Sequence, residues 1–366
     1  MSFNHTQYIP CLRWKLGEYQ AVSQLPDTIK RVFMPIIEAP GKGYDFATKK
    51  EKKTIDELLS PFAKRVRNNW GKLPCLVDLR LIKDTERMAN GDPPVHFVFD
   101  ELRALDCQAI PVTSLVRDAE YQQEIKAVMV KDKNGICLRI TIEQAAKSTF
   151  KAEVDSLLLT LEIQPAECDF ILDLGAPNFA PLDGFVKIIK DIVTELPYLD
   201  NWRTFTLLGT SFPESMGSVK KRGEIVPRYE WQLYKALVDA LRKANLRPPA
   251  FGDYAINHPK ELELDWRIVK PSATIRYTID DRWYIVKGDN IRDYGYQQYH
   301  ELSQNVLTSR YYYGPTFSWG DDYIQACANK SAKTGNPTKW IQVGTSHHIV
   351  KVTRDIASFY ASSSSP

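Results

Sequence analysis

The stretch that decides the fold is PCLVDLR, residues 74–80, in which an apolar run ends in an aspartate and an arginine two residues apart. Successive side chains of a strand point to opposite faces, so Leu76, Asp78 and Arg80 share one face. A second stretch, DFILDLG at residues 169–175, has the same form and carries Asp173 near its end. The sequence therefore predicts strands that are apolar along their length and charged at their carboxyl ends.

Runs of this kind recur eight times, each short, apolar or β-branched, and bounded by turn residues. They lie at residues 8–14, 32–38, 74–80, 109–116, 135–142, 169–175, 204–211 and 250–256. Segments with helical periodicity separate them, which indicates parallel strands covered by helices. Together they span about 250 residues, the usual length of an eight-fold barrel. The predicted fold is α/β, an eight-stranded parallel (β/α)8 TIM-like barrel, with an open doubly wound sheet as the alternative.

Residues 1–257 would form this barrel, and the sequence changes character after them. Residues 273–289 alternate and turn at Asp280 and Asp281, which predicts a β-hairpin. Polar and aromatic segments of helical character follow. A lone hairpin is marginal in water, so residues 258–366 are predicted to form a C-terminal α+β cap docked on the barrel. The last six residues, 361–366, read ASSSSP and are predicted to be a disordered polar tail.

Composition places the chain of 366 residues among ordinary soluble proteins, with a net charge of +3 and 43% hydrophobic residues. Six cysteines without a Cys-x-x-Cys pair indicate thiols in a reducing compartment. The sequence shows no secretory signal and no apolar run of membrane-spanning length, so we expect a cytoplasmic protein without a membrane partner. Walker, G-x-G-x-x-G, G-x-S-x-G and H-E-x-x-H motifs are absent, which argues against the enzymes that depend on them.

The charged strand ends predict a functional site, because in such barrels the loops after the strands form it. Clustered carboxylates suit acid–base chemistry or a divalent cation, and guanidinium groups suit phosphate. The predicted catalytic residues are Glu38, Asp78, Asp173, Asp253 and His347. The predicted ligand-binding residues are Arg13, Lys15, Arg80, Arg117, Arg139, Ser211, Tyr254 and His348.

Each of these residues has a structural alternative. A carboxylate after a strand often caps a helix, and arginine–carboxylate pairs can tie barrel layers together. His347 and His348 could lie in the first turn of a helix that Thr345 or Ser346 caps. As a set, the charges favour a phosphate-containing ligand, and the reaction they could support is phosphodiester hydrolysis. A divalent cation stays open as a cofactor, and no metal ligands can be assigned.

An ordered series of short motifs adds a family resemblance. They are MPIIE, VDLR, IPVTSLVRD, ILDLGA, WRTFTLLGTSFP, FGDYAINHP, IRYT, WYIVKG and GTSHHIV, all within residues 8–357. This series resembles the Beta protein family of phage and bacterial proteins. The resemblance implies a component of a phage-defence or mobile-element immunity locus that acts with a protein encoded in the same locus. It adds Arg276 of IRYT and Lys287 of WYIVKG to the predicted ligand-binding residues.

Two functions of different classes follow. In the first, the barrel mouth binds a nucleotide or nucleic acid and could hydrolyse a phosphodiester. In the second, the chain is a non-catalytic, antitoxin-like protein that binds and restrains a partner effector. Carboxylates that converge on one accessible pocket would favour the first function, and carboxylates paired internally beneath a closed cap would favour the second.

Overall fold

The structure is a computed structural model, and it describes residues 4–220, 223–260, 265 and 268–362. Its strands are β1 Cys11–Leu12, β2 Ile36–Glu38, β3 Tyr44–Asp45, β4 Lys50–Glu51, β5 Cys75–Asp78, β6 Ala109–Thr113, β7 Ile136–Thr141, β8 Cys168–Asp173, β9 Thr204–Leu208, β10 Glu224–Pro227, β11 Ala250–Gly252, β12 Ser272–Ile279 and β13 Arg282–Asn290. Its α-helices are α1 Leu16–Ser23, α2 Asp27–Lys30, α3 Ile55–Leu59, α4 Phe62–Asn69, α5 Pro94–Ala104, α6 Ala119–Asp132, α7 Ile142–Ala145, α8 Phe150–Leu161, α9 Leu182–Thr194, α10 Tyr229–Lys243, α11 Ile291–Tyr294, α12 Gln298–Leu307, α13 Trp319–Ala328 and α14 Pro337–Ser362.

Eight parallel strands form a ring in the order β1, β2, β5, β6, β7, β8, β9, β11. The ring closes between its first and last strands. The Ile9 amide donates to the Phe251 carbonyl at 2.9 Å, and the Cys11 amide donates to the Asp253 carbonyl at 2.7 Å. The predicted eight-stranded barrel is therefore confirmed, and the open doubly wound sheet is excluded because such a sheet has two free edges.

The two faces of each barrel strand bury different sets of apolar residues. Leu76 and Ile171 point inward and pack together inside the barrel. Their neighbours Val77 and Leu172 point outward and pack beneath the helices. This alternation is the reason that Asp78, two residues after Leu76, also points into the barrel.

The last helix, α14, takes the position of the eighth barrel helix between α1 and α10. On one side, Gln342 Nε2 donates to the Gln20 carbonyl of α1 at 3.2 Å. On the other, the Phe359 ring lies 6.1 Å from the Trp231 ring of α10. Ile356 of α14 belongs to the same core as the other barrel helices. The segment between β11 and α14 is therefore an excursion from the barrel, and the chain returns to the barrel at its end.

This excursion forms a cap over the carboxyl ends of the barrel strands. The hairpin of β12 and β13 turns at Asp280 and Asp281 as predicted. A third strand, β10, pairs antiparallel with β13 and places Val226 opposite Trp283. Because β10 precedes residue 257, the cap sheet includes chain from the barrel segment. The division into 1–257 and 258–366 is a prediction from sequence; in the structure α14 packs with the barrel and β10 belongs to the cap sheet.

The described part of the chain ends inside α14. Ala361 and Ser362, the first two residues of the predicted tail, are helical, and residues 363–366 lie outside the described residues. Within the described ranges, no helix is both long enough and apolar enough to cross a lipid bilayer.

Candidate functional site

Arg139 of β7 lies at the centre of the barrel mouth and binds three carboxylates. Its Nη1 donates to Glu38 Oε1 at 2.7 Å and to Asp78 Oδ2 at 2.8 Å. Its Nε and Nη2 donate to Asp173 Oδ2 at 2.9 and 2.7 Å. Four charged residues from the ends of separate strands therefore meet at one guanidinium group, and each is almost fully buried.

Two further residues complete this group. The Tyr254 hydroxyl donates to Asp173 Oδ1 at 2.8 Å and accepts from Arg139 Nη2 at 2.7 Å. Arg80, whose side chain is one-third exposed, donates through Nε to Glu38 Oε1. We call these six residues the mouth cluster: Glu38, Asp78, Arg80, Arg139, Asp173 and Tyr254.

The charges of the mouth cluster largely compensate one another. Burial by itself opposes ionisation of Glu38, but Arg139 and Arg80 outweigh it and lower the pKa of Glu38 to about 2. Burial is the larger effect at Asp78 and raises its pKa. Arg139 thus occupies the position between three carboxylates that a divalent cation would need. Across the described ranges, no group of three or more His, Cys, Asp or Glu side chains is placed to hold a metal ion.

Asp253 lies on the opposite face of the barrel wall from the mouth cluster. Its Oδ1 accepts from the Tyr8 hydroxyl at 2.5 Å, and its Oδ2 lies 2.9 Å from His348 Nε2. Burial lowers the pKa of His348, and its Nδ1 lies 2.8 Å from Thr278 Oγ1. All of these side chains are buried, so Asp253 and His348 tie the barrel wall, the hairpin and α14 together.

His347 lies in the core of the cap. Its Nδ1 is 2.8 Å from Asp321 Oδ2, its Nε2 is 2.7 Å from the Thr278 carbonyl, and its ring stacks on Tyr277 with centroids 3.9 Å apart. Both histidines lie in the middle of α14, so the prediction of a helix start capped by Thr345 or Ser346 is wrong. The catalytic hypothesis for His347 finds no support in this geometry, because the side chain is fully buried with both nitrogens bonded.

Arg117 and Ser211 also bind protein groups. Arg117 donates to Asp84 and to the Ile82 carbonyl, and its guanidinium lies 4.1 Å from the Tyr121 ring centroid. Ser211 Oγ donates to Glu230 Oε2 at 2.7 Å. Both residues hold loops at the mouth in place.

Glu230 was missed in the sequence, where it appears as an ordinary helix residue of α10. It is buried beside Arg228, and burial raises its pKa to about 7.

Glu230→Gln should therefore alter how stability depends on pH. An unfolded glutamate ionises near pH 4.5, so the folded protein binds the Glu230 proton more tightly between pH 4.5 and about 7. The free energy of unfolding of the wild type should fall across this window. Relative to it, the free energy of unfolding of the glutamine variant should rise by up to about 3 kcal/mol by pH 8. Urea unfolding at pH 5 and pH 8 measures this, with the exposed Glu57→Gln as the control that should follow the wild type. An equal difference at both pH values would contradict the prediction.

A cleft of about 660 Å³ lies between the barrel mouth and the cap. Four predicted ligand-binding residues line it: Arg13, Lys15, Arg276 and Lys287. Two lysines that sequence reasoning missed, Lys260 and Lys270, also line it, against the acidic Glu18 and Glu214. Among the residues that the structure describes, the lining therefore carries six basic side chains and two acidic ones, and we call this space the basic cleft.

Three cations of the basic cleft donate to oxygens of neutral groups. Arg13 Nη2 donates to the His258 carbonyl at 2.7 Å. Arg276 Nη1 donates to the Ile256 carbonyl at 3.0 Å, and Lys287 Nζ donates to the carbonyls of Met216 and Val219 at 2.6 and 3.0 Å. Within the described ranges, none of the three cations forms an ion pair with a carboxylate. Burial lowers the pKa of Arg276 to about 10, which shows the cost of holding this charge away from water.

The structure thus separates the predicted site residues into three groups. Six form the mouth cluster, four line the basic cleft, and five bind protein groups elsewhere, namely Asp253, His347, Arg117, Ser211 and His348. Lys260 follows the eighth barrel strand, and that position could have identified it from sequence. Lys270 lies directly before the hairpin, where no such signal marks it.

Comparison with known proteins places the chain in a family. The family model described as Beta protein matches residues 8–354. No curated protein sequence matches the chain. Among solved structures, the chain is similar to alanine racemase from Clostridium difficile 630 in complex with cycloserine, with a TM-score of 0.33 and 10% sequence identity. That similarity covers 76% of this chain and 61% of the racemase chain.

Proposed function

The chain belongs to the Beta protein family, and from the geometry of its basic cleft we propose that it binds a phosphate-containing ligand, a nucleotide or nucleic acid, as part of a phage-defence or mobile-element immunity locus. The observation that carries the proposal is the excess of basic side chains among the described residues of the cleft wall, six against two acidic ones. The locus is inferred from the resemblance alone. The cytoplasm is the proposed compartment, and six free thiols, five of them buried, support it.

Three cations of the basic cleft, Arg13, Arg276 and Lys287, are placed so that an anion would stabilise them. Lys260 and Lys270 instead form ion pairs with carboxylates. β12 and β13 pair Thr274 with Lys287 and Arg276 with Ile285, so Arg276 and Lys287 point to the same face of the cap sheet. That face covers the barrel mouth. A half-buried cation without a carboxylate partner is costly, and a phosphate group would supply the missing charge through charge-assisted hydrogen bonds.

The proposal is binding and does not extend to hydrolysis. Hydrolysis would need a carboxylate free to take or give a proton, or a bound metal ion. Arg139 engages Glu38, Asp78 and Asp173 together, and Asp253 pairs with His348 on the other side of the wall. The predicted catalytic residues therefore do not converge on the cleft.

The test is calorimetric titration of the full chain with pyrophosphate and with ADP. Charge-assisted hydrogen bonds contribute about 1.5–3 kcal/mol each, so Arg276→Gln with Lys287→Gln should weaken binding of both probes by at least about tenfold. Lys333→Gln removes an exposed lysine outside the cleft and should bind as the wild type does. Unchanged affinity in the double variant would overturn the proposal.

The internal pairing of the carboxylates favours a second candidate, the non-catalytic protein that restrains a partner effector. A ligand in the basic cleft is compatible with such a role, because the cleft lies between barrel and cap and the outer surfaces stay available. Native mass spectrometry of the protein purified from its host would show a second chain if this role is correct. A chain that carries no partner under conditions where the locus is expressed would contradict it.

A further inference from the structure

Glu18 is a buried carboxyl group in the wall of the basic cleft. It is the third residue of α1, directly after the loop that follows the first barrel strand, and it is 2% exposed. Its Oε2 accepts from the Lys15 amide at 3.2 Å, an ordinary capping interaction. Its Oε1 accepts from Asn257 Nδ2 at 2.8 Å. One oxygen of this carboxyl group therefore caps α1, and the other binds Asn257 in the loop after the eighth strand.

The Glu18 carboxyl group can accept more hydrogen bonds than these two. An ionised carboxylate offers about four acceptor positions, and the contacts with Asn257 and with the backbone of Lys15 and Arg13 leave at least one of them open. Burial raises the pKa of Glu18, although the Lys15 amide and the charges of Arg13 and Lys15 act against it. A ligand that brings hydrogen-bond donors to this position would therefore stabilise the buried carboxylate.

Asn257 connects this acceptor to the cations of the cap. Its Nδ2 binds Glu18, and its Oδ1 accepts from Arg276 Nη1 at 3.3 Å. One amide side chain therefore lies between a buried carboxylate that can accept further hydrogen bonds and a guanidinium that has no carboxylate partner within the described ranges. A ligand that bridges them must carry hydrogen-bond donors close to a phosphate, and hydroxyl groups are donors of this kind. In a nucleotide the ribose hydroxyls lie on the same sugar ring that carries the 5′-phosphate. The hydrogen-bonding edge of the base is farther from the phosphate.

We propose that Glu18 and Asn257 bind the ribose hydroxyls of a nucleotide whose phosphates bind Arg276 and Lys287, so that the basic cleft selects ribonucleotides over deoxyribonucleotides. This inference rests on the proposed function and names the ligand class of the same cleft. A carboxylate on the 2′-hydroxyl is a common means of recognising ribose, and the 2′-hydroxyl is the group that separates RNA from DNA components. Gly17 allows the close approach of α1 to the start of α14, since a Cβ there would lie 2.8 Å from the Thr338 carbonyl oxygen.

The experiment compares the ribo and 2′-deoxy forms of ADP and GDP by calorimetric titration of the full chain, with pyrophosphate as the phosphate-only probe. The wild type should bind at least one ribonucleotide about tenfold more tightly than its deoxy form, the size expected for one hydrogen bond to a charged acceptor. In Glu18→Gln this ratio should fall towards one, while pyrophosphate should bind at least as tightly as it does to the wild type, because the variant removes a negative charge near Arg276. Glu57→Gln is the matched control, because Glu57 makes the same capping bond, to the Thr54 amide at 2.9 Å, on a helix that does not line the cleft. It should keep the wild-type ratio.

The outcomes separate this inference from the proposed function. If the wild type bound the ribo and deoxy forms equally and also bound pyrophosphate, the inference would be overturned and the proposal of phosphate binding would stand. A ratio that survives in Glu18→Gln would also overturn it, because the discrimination would then come from another residue. Failure of all the probes, pyrophosphate included, would overturn both.

Discussion

Arg139→Met should lower the free energy of unfolding by about 4 kcal/mol, because removal of one partner from a buried ion cluster leaves uncompensated charge. Three carboxylates would lose their shared guanidinium at once, and Arg80 could still reach only Glu38. Chemical denaturation at pH 7, followed by circular dichroism, measures the loss. Arg80→Met is the matched control: its side chain is one-third exposed, so its loss should be about 1 kcal/mol or less.

The same variant should be rescued by neutralising its partners. The partners are neutralised by adding Glu38→Gln, Asp78→Asn and Asp173→Asn. These changes remove the unpaired negative charges and keep the shapes of the side chains, so most of the free energy of unfolding should return. If these additions made the protein still less stable, the cluster would owe its effect to packing and the electrostatic explanation would be wrong.

The mouth cluster also predicts the behaviour of the wild type in acid. Glu38 has a pKa of about 2 in the folded protein against an ordinary 4.5, so ionised Glu38 stabilises the fold. That contribution is fully present above pH 4.5 and is lost as the pH falls towards 2. Arg139→Met should lack it, and the difference between the two proteins should therefore shrink in acid.

Alternation along single strands allowed the mouth cluster to be predicted from sequence. Leu76 and Asp78 share a face, as do Ile171 and Asp173, and both aspartates reach Arg139. The same rule also accounts for the main error. Asp253 and its neighbour Tyr254 cannot both point inward, and the structure places the tyrosine inside and the aspartate outside. Grouping Asp253 with the other carboxylates overlooked this constraint.

The error at the histidines has a different physical cause. The motif GTSHHIV was interpreted as a turn and a helix start because it begins with small polar residues. In the structure, Gly344 is small because α14 passes close to other chain segments: a Cβ there would lie 2.8 Å from Ile256 Cδ1 and 2.9 Å from the Arg276 carbonyl oxygen. Thr345 and Ser346 are fully buried beside it. Small residues mark close helix packing as readily as a turn, and a single sequence does not distinguish the two.

The basic cleft was only partly predictable, because it exists only once cap and barrel meet. Arg13 lies in a barrel loop and Arg276 in the cap hairpin, far apart in sequence. Each was identified for its own reason, the first as a strand end and the second through the family resemblance. Nothing local marks Glu18 as more than a capping residue, since its contact with Asn257 joins the two ends of the closed barrel.

Asp321→Asn should be the most damaging single change in the cap, with a loss of about 3 kcal/mol or more. One carboxylate there joins three elements: it accepts from Tyr277 of β12 at 2.6 Å, from Ser318 before α13 at 2.5 Å, and lies 2.8 Å from His347 of α14. Burial opposes its ionisation, but these partners prevail and lower the pKa of Asp321. Asparagine has a single acceptor oxygen for three donors and turns its amide N–H groups towards them, so at least one buried donor loses its acceptor.

The elements in which hydrogen exchange accelerates should show why Asp321→Asn lowers the stability. Since the Asp321 contacts hold the cap together, hydrogen exchange in Asp321→Asn should accelerate in β12, α13 and the middle of α14, and stay near wild-type rates in β5 and β8 of the barrel. Asp322→Asn changes the adjacent, exposed residue of the same helix turn and should leave exchange and stability within about 0.5 kcal/mol of the wild type. Uniform acceleration throughout the barrel would show that cap and barrel unfold as one unit. The cap could then not open to admit a ligand without loosening the barrel beneath it.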